Sequence, residues 1–143
     1  MTVSIYADKF YFDNKIEKYG YLTIEDGKFG DFSKTKPTGT EIINYSGFSI
    51  APGLVDTHIH GFKGYDVMDN NLNGLKEMSK EILSCGVTSF LPTTLTADDE
   101  QINNICKLIG KHSNEVDGAK IQGLFLEGPF FSERFKGAQN PKY

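Results

Sequence analysis

The sequence lacks the features that are typical of membrane proteins, nucleic-acid-binding proteins and secreted disulfide-bonded proteins. It contains no apolar run long enough to span a membrane, and its formal net charge of -4 provides no basic surface for nucleic acid. Only two cysteines occur, Cys85 and Cys106, and because they lack metal-type spacing we expect buried thiols and no disulfide. The first residues lack the basic and apolar segments of a signal peptide, so we expect a cytoplasmic protein.

Histidine is also scarce, with three in 143 residues, yet two of them stand close together as His58 and His60. They end an apolar-rich run that begins at Leu54 and stops at Gly61, which predicts a short buried strand. Because side chains alternate along a strand, both imidazoles face one side and Ile59 faces the other. Two imidazoles at this spacing can bind one metal ion, although such triplets also occur by chance at strand ends.

The first 50 residues indicate a small β unit without a catalytic constellation. After the third predicted strand, Asp26-Gly27 supplies the positive φ angles that a tight hairpin turn needs. The strands predicted from the sequence are Val3–Ala7, Phe10–Phe12, Tyr19–Ile24 and Glu41–Tyr45.

After the histidines the hydrophobic period changes from two to 3.6 residues, which predicts helices that alternate with strands. This order is typical of successive βαβ units with parallel strands. The predicted elements are a helix over Asn71–Cys85 capped by Gly86, a strand over Val87–Pro92, a helix that begins in a capping box at Thr96–Asp99 and ends at Gly110, and a strand over Ile121–Leu126.

The predicted strands place three residues that could bind a metal at one edge of the sheet. His58 and His60 end the first parallel strand, and Glu127 follows the third. In barrels of this kind the active site gathers at the carboxyl ends of the strands, so we expect these side chains to meet there. A glutamate at a strand end is more commonly solvated, and the sequence pattern alone leaves that alternative open.

Several stretches resemble one known family. Pro52–Gly61, which reads Pro-Gly-Leu-Val-Asp-Thr-His-Ile-His-Gly, resembles the first barrel strand of the amidohydrolase superfamily, and Tyr65–Asp69 continues like its N-acetylglucosamine-6-phosphate deacetylase branch. Leu-Glu-Gly-Pro-Phe at 126–130, followed by Lys-Gly-Ala-Gln-Asn-Pro at 136–141, is similar to a two-block pattern of that branch. Val87–Leu95 resembles its second strand, whose threonines orient ligands or simply favour β structure.

The resemblance implies a metal-dependent hydrolase of amino sugar catabolism that deacetylates N-acetylglucosamine 6-phosphate to glucosamine 6-phosphate and acetate. The implied fold is α/β, an incomplete (β/α)8 TIM-type barrel over residues 51–143 with three strands and two helices, preceded by part of a β-sandwich over residues 1–50. The implied metal ligands are His58, His60 and Glu127, for one or two ions of zinc or iron(II). A complete barrel takes roughly 250 residues, so we expect the catalytic aspartate and two further histidine ligands beyond Tyr143.

The resemblance also implies that Ala138 and Gln139 contact the aminosugar phosphate. The family usually has histidine where this chain has Gln139, and an amide cannot carry positive charge toward a phosphate. We expect the full-length protein to be a homodimer and the 143-residue chain alone to be inactive. Two alternatives remain at this point: another amidohydrolase that acts on a cyclic amide, and a short metal-binding protein without catalysis.

Overall fold

The computed structural model describes residues 2–143. The chain divides into two compact units, Met1–Pro52 and Gly53–Tyr143. The division lies two residues after the boundary at residue 50 that the sequence indicates, and the assignment of separate domains stays a prediction. No helix within residues 2–143 is long and apolar enough to cross a membrane.

The first unit is one four-stranded sheet in the order β3-β2-β1-β4. Strand β1 pairs antiparallel with β2 and parallel with β4, and its buried residues Ala7 and Phe10 form a small core with Leu22. The predicted turn is confirmed, because Asp26 and Gly27 have φ of 49° and 76°. The strands are β1 (Thr2–Tyr11), β2 (Ile16–Glu25), β3 (Lys28–Ser33) and β4 (Glu41–Ile50).

Two strand predictions in this unit need correction. The segments predicted as Val3–Ala7 and Phe10–Phe12 are one strand, β1, which runs on through Lys9 and ends at Tyr11, with an irregularity between Ala7 and Lys9 in its pairing with β4. Strand β3 was not predicted. Its sequence contains glycine and aspartate, and four of its six residues are exposed, so it lacks the apolar alternation by which a strand is recognised.

The second unit is built on a parallel sheet in which β8 is the central strand. Strand β5 pairs with one edge of β8, and β9 and β10 pair in succession with the other. A short antiparallel hairpin, β6 with β7, follows β5. The elements are β5 (Leu54–Ile59), β6 (Gly61–Phe62), β7 (Tyr65–Asp66), α1 (Leu72–Glu81), β8 (Val87–Thr94), α2 (Asp99–His112), β9 (Lys120–Ile121) and β10 (Phe125–Leu126).

Both helices pack an apolar face against this sheet around buried Phe90 of β8. The first helix begins at an N-cap, Asn71, continues as a 3-10 turn over Ile82–Cys85, and is capped by Gly86 at φ 79° as predicted. The main core lies between the helices and the sheet. Its buried members are Val67, Leu75, Met78, Ile82, Val87, Phe90, Ile105, Ile109 and Ala119.

The second helix starts later and ends later than the sequence predicts. Its N-cap is Asp98, whose carboxylate accepts a hydrogen bond from the Gln101 N–H at 2.8 Å, so the predicted capping box at Thr96 is wrong. The helix also runs through Gly110 to His112. A single glycine costs a helix only about 1 kcal/mol relative to alanine, which is too little to end it.

The third parallel strand is not continuous. It forms the two short pairs β9 and β10, separated by residues 122–124, within which Gly123 offers no side chain to pack. The predicted burial of β5 is also wrong for Leu54 and Val55, each 61% exposed, because within the described residues β5 has a partner strand on one side only. The two thiols are free as predicted, but Cys85 is exposed and Cys106 only partly buried.

Candidate metal site

The candidate site lies at the carboxyl ends of the parallel strands. His58 and Ile59 are the last two residues of β5, His60 follows them, and Glu127 follows β10 directly. Both strands are hydrogen-bonded to β8, which therefore sets the distance between the histidines and the glutamate. Strand alternation has the predicted result, because Ile59 packs toward the core while both imidazoles approach Glu127.

Three ligand atoms converge on one point. Glu127 Oε2 lies 2.7 Å from His58 Nε2 and 3.0 Å from His60 Nε2, and the two ring nitrogens are 3.2 Å apart. Each atom carries a lone pair, so this arrangement requires a proton or a metal cation among them. Within residues 2–143, these three residues form the group of histidine, cysteine and acidic side chains whose ligand atoms all lie within 4.8 Å of one another.

The backbone of β8 selects the form of His60 that can bind a metal. His60 Nδ1 lies 3.1 Å from the Thr93 carbonyl oxygen, which can only accept, so Nδ1 carries the proton and the Nε2 lone pair points to the site. The Thr93 hydroxyl accepts a hydrogen bond from the Ile59 N–H at 3.1 Å. Thr93 therefore holds the histidine strand twice, in the orienting role that the sequence suggested for threonines of this segment.

His58 is held from its own strand and from the far side of the sheet. Its backbone N–H donates to Asp56 Oδ1 at 3.0 Å, and its ring centroid lies 5.1 Å from that of Phe125 in β10. An aromatic side chain therefore limits the swing of the more exposed of the two imidazoles.

The other carboxylate oxygen of Glu127 is occupied by an amide. Gln139 Nε2 donates to Glu127 Oε1 at 2.7 Å, and Gln139 Oε1 accepts from the Thr96 N–H at 2.9 Å. Ala138, the other residue expected to contact substrate, is exposed beside Gln139 in the chain. Thr96 was not found by sequence reasoning, because a backbone N–H is present in every residue type except proline and leaves no signal in the sequence.

The carboxylate of Glu127 is stabilised in its charged form. Partial burial raises its pKa, but hydrogen bonds from His58 and Gln139, with the attraction of the imidazoles when they are protonated, outweigh burial, and the pKa lies below its ordinary value. The site therefore presents an anionic oxygen beside two ring nitrogens, the donor set that a divalent transition-metal ion prefers.

Comparison with known proteins identifies relatives of the chain, although no family model matches it. It is 44% identical over 90 residues to N-acetylglucosamine-6-phosphate deacetylase of Vibrio furnissii, covering 62% of this chain and 23% of that protein. It is 36% identical over 134 residues to the enzyme of the same name from Bacillus subtilis, covering 89% of this chain and 34% of that protein. The chain is homologous to part of these deacetylases.

A solved deacetylase structure extends the likeness to the fold. The crystal structure of N-acetylglucosamine-6-phosphate deacetylase from Pasteurella multocida matches with a TM-score of 0.89 and 22% identity, over 100% of this chain and 38% of that one. At this identity the match establishes the shared fold. The two relatives bear out the resemblance that the sequence motifs indicate, and the chain spans about a quarter to a third of the length of these relatives.

Proposed function

We propose that the protein containing this chain deacetylates N-acetylglucosamine 6-phosphate, giving glucosamine 6-phosphate and acetate. The observation that carries the proposal is the convergence of His58, His60 and Glu127 within 4.8 Å in a chain homologous to deacetylases of that name. His58 and Glu127 are 69 positions apart in sequence, and the parallel sheet brings them together.

The donor set fits a divalent ion, zinc or iron(II). Two neutral imidazole nitrogens and one carboxylate oxygen are a ligand combination of catalytic zinc sites, which keep a further position open. An ion held there supplies Lewis acidity that polarises an amide carbonyl and acidifies water. One ion accounts for all three donors, and a second ion would need ligands from other residues.

The residues around the donors orient them and prepare the substrate side. The Thr93 carbonyl holds the Nδ1 proton of His60, Asp56 fixes the backbone of His58, and Gln139 fixes Glu127. Gln139 has a second N–H beyond the one given to Glu127, and we propose that this group and exposed Ala138 contact the sugar. The ligand is then a small aminosugar phosphate.

The remaining parts of the proposal concern the whole protein. We propose that residues 51–143 form the first three strands and two helices of a TIM-type barrel, and that residues 1–50 form part of a β-sandwich domain. The aspartate that moves protons and two further histidine ligands would come from the rest of such a barrel. We further propose a homodimer in the cytoplasm.

The first experiment tests the metal site in the full natural chain. His58→Ala, His60→Ala and Glu127→Ala should each lose bound zinc or iron, measured by elemental analysis, and lower acetate release by at least about 100-fold, since even partners behind the ligands contribute about 10- to 100-fold. His112→Ala is the matched control, because His112 pairs with Glu115 at 2.7 Å at the end of α2. Full metal content and activity in the three site variants would overturn the proposal.

A second experiment tests the substrate. The full natural chain should release acetate from N-acetylglucosamine 6-phosphate faster than from its 4-epimer or from unphosphorylated N-acetylglucosamine. It should not open hydantoin or dihydrouracil rings. Faster turnover of the cyclic amides would favour the alternative amidohydrolase, and tight metal binding without turnover of any amide would favour a non-catalytic protein.

A further inference from the structure

Gln139 makes four hydrogen bonds although it lies in an irregular segment. Its backbone N–H donates to the Lys136 carbonyl at 3.0 Å, and its own carbonyl accepts from Lys136 Nζ at 3.2 Å. Its side-chain oxygen accepts from the Thr96 N–H at 2.9 Å, and its side-chain nitrogen donates to Glu127 Oε1 at 2.7 Å. The side chain therefore joins the segment after β8 to the carboxylate at the end of β10.

The orientation of this amide is determined by its partners. The Thr96 N–H can only donate, so the Gln139 oxygen must face it, and the Gln139 nitrogen must then face Glu127. The nitrogen in turn can only donate, and it takes Oε1 of the carboxylate. The other carboxylate oxygen of Glu127, Oε2, faces the histidines, at 2.7 Å from His58 Nε2 and 3.0 Å from His60 Nε2.

We infer that Gln139 is a positioning residue that restricts Glu127 to binding the metal through Oε2 alone. The inference rests on the proposed metal site and adds to it the role of a residue that is not itself a ligand. Thr96 completes the arrangement in two ways. Its N–H orients the amide, and its hydroxyl donates to the Glu127 carbonyl at 3.4 Å.

A side chain that links the Thr96 N–H to the Glu127 carboxylate needs one hydrogen-bond acceptor and one donor, separated by a single carbon atom. The glutamine amide meets this requirement with its oxygen and nitrogen, and a neutral imidazole meets it with Nδ1 and Nε2. Histidine is therefore an equivalent bridge between the Thr96 N–H and Glu127. Methionine has a similar length to glutamine and can neither accept from Thr96 with comparable strength nor donate to Glu127.

The test compares metal affinity in variants of the full natural chain. Dissociation constants for Zn²⁺ and Co²⁺ are measured by competition with a chromophoric chelator. Gln139→Met should weaken binding by about 10- to 100-fold, the usual effect of removing a partner behind a ligand. Gln139→His should stay within about threefold of the unmodified protein. Visible absorption of bound Co²⁺ should weaken in the methionine variant, because a freed Oε1 raises the coordination number.

Two controls show whether a lower metal affinity comes from the lost Gln139 contacts or from a loss of fold. Gln122→Met makes the same change at an exposed glutamine of the same unit and should leave metal affinity unchanged. Thermal unfolding of the metal-free variants should coincide with that of the unmodified protein. Equal affinity of the methionine variant and the unmodified protein, or equal losses in the methionine and histidine variants, would overturn the inference alone. No metal binding by the unmodified protein would overturn both the inference and the proposed site.

Discussion

At the scale of single residues, two adjacent threonines of β8 differ in what their hydroxyls do. The Thr93 hydroxyl accepts from the Ile59 N–H at 3.1 Å and donates to the Leu91 carbonyl at 3.0 Å. The Thr94 hydroxyl is buried and, among residues 2–143, has no hydrogen-bond partner. Both side chains are fully buried, so the same substitution should affect the free energy of unfolding differently at the two positions.

Thr93→Val should lower the free energy of unfolding by about 2 kcal/mol, because the Ile59 N–H loses its partner in a part-buried position. Since Ile59 lies between the two histidines, metal affinity should fall as well. Urea unfolding followed by circular dichroism measures the first effect. Thr88→Val, at an exposed position of the same strand, should change stability by less than about 0.5 kcal/mol.

Thr94→Val should leave stability unchanged or raise it by up to about 1 kcal/mol, because a methyl group replaces a buried hydroxyl that makes no hydrogen bond. The same urea unfolding measurement checks it. A loss comparable to that of Thr93→Val would mean that the Thr94 hydroxyl has a partner, and would contradict the distinction drawn between the two threonines.

The three residues of the candidate metal site and the residues that orient them are not equally predictable from the sequence. His58 and His60 were found because strand alternation is a local rule and their side-chain type has few other uses at that spacing. Glu127 was placed by counting elements to the end of the third parallel strand. The bond from Gln139 to Glu127 was not predicted, because it depends on how an irregular segment folds back over β10, and Thr96 contributes through its backbone.

At the scale of elements, one glycine allows the first helix to meet the sheet. A Cβ on Gly118 would lie 2.2 Å from the Ser79 carbonyl oxygen in α1. Directly after it, the Ala119 N–H donates to that same carbonyl at 2.8 Å, and the Ser79 hydroxyl donates to the Ala119 carbonyl at 2.9 Å. The approach between α1 and the start of β9 therefore requires glycine at this position.

Gly118→Ala should destabilise the protein by about 1–3 kcal/mol, because backbone atoms must move to admit the methyl group. Gly110→Ala is the matched control with the opposite expectation. Gly110 is exposed within α2 and a Cβ there meets nothing within 4 Å, so alanine should stabilise by about 0.5–1 kcal/mol. Midpoints of thermal unfolding that shift in the same direction for both variants would contradict this account.

The order of elements was readable from the change of hydrophobic period, while several boundaries were not. The apolar run over Ile121–Leu126 predicts one continuous third strand, yet its pairing with β8 is divided between Lys120–Ile121 and Phe125–Leu126. The sequence around Gly123 contains no turn signal strong enough to reveal the break. The end of α2 was missed for the related reason that one glycine is a weak stop.

At the scale of the whole molecule, the second unit exposes apolar residues at both edges of its parallel sheet. Leu54 and Val55 of β5 are each 61% exposed, and Phe125 and Leu126 of β10 are 42% and 45% exposed. Parallel strands are normally covered on both faces, and an unpaired apolar edge favours association with another chain. The burial of β5 depends on residues outside the strand. The apolar sequence of β5 therefore predicts a buried strand, although Leu54 and Val55 are exposed in this chain.

The 143-residue chain alone should therefore self-associate, and light scattering during size-exclusion chromatography should give a mass that rises with concentration. Val55→Lys should reduce the association, because a charged side chain on an edge strand opposes pairing. A monodisperse monomer at every concentration, with tightly bound zinc, would contradict this prediction and favour the short non-catalytic protein.

The same 143-residue chain should show no measurable deacetylase activity after titration with zinc or iron(II). Its described residues gather three metal donors, and catalysis also needs a group that moves protons, a contribution of about 10² to 10⁴ in rate. Acetate release from N-acetylglucosamine 6-phosphate is the measurement. Turnover within about a hundredfold of the full natural chain would show that this part is sufficient.

The distance in sequence between the histidines and the glutamate has a consequence during synthesis. His58 leaves the ribosome 69 residues before Glu127, which at about 5–20 residues per second amounts to about 3–14 s. Through that interval the imidazole pair is present without its carboxylate. If the proposed site binds metal, we expect the nascent chain to offer nitrogen ligands alone during that interval, and copper(II) and nickel(II), which nitrogen ligands suit, to compete best then.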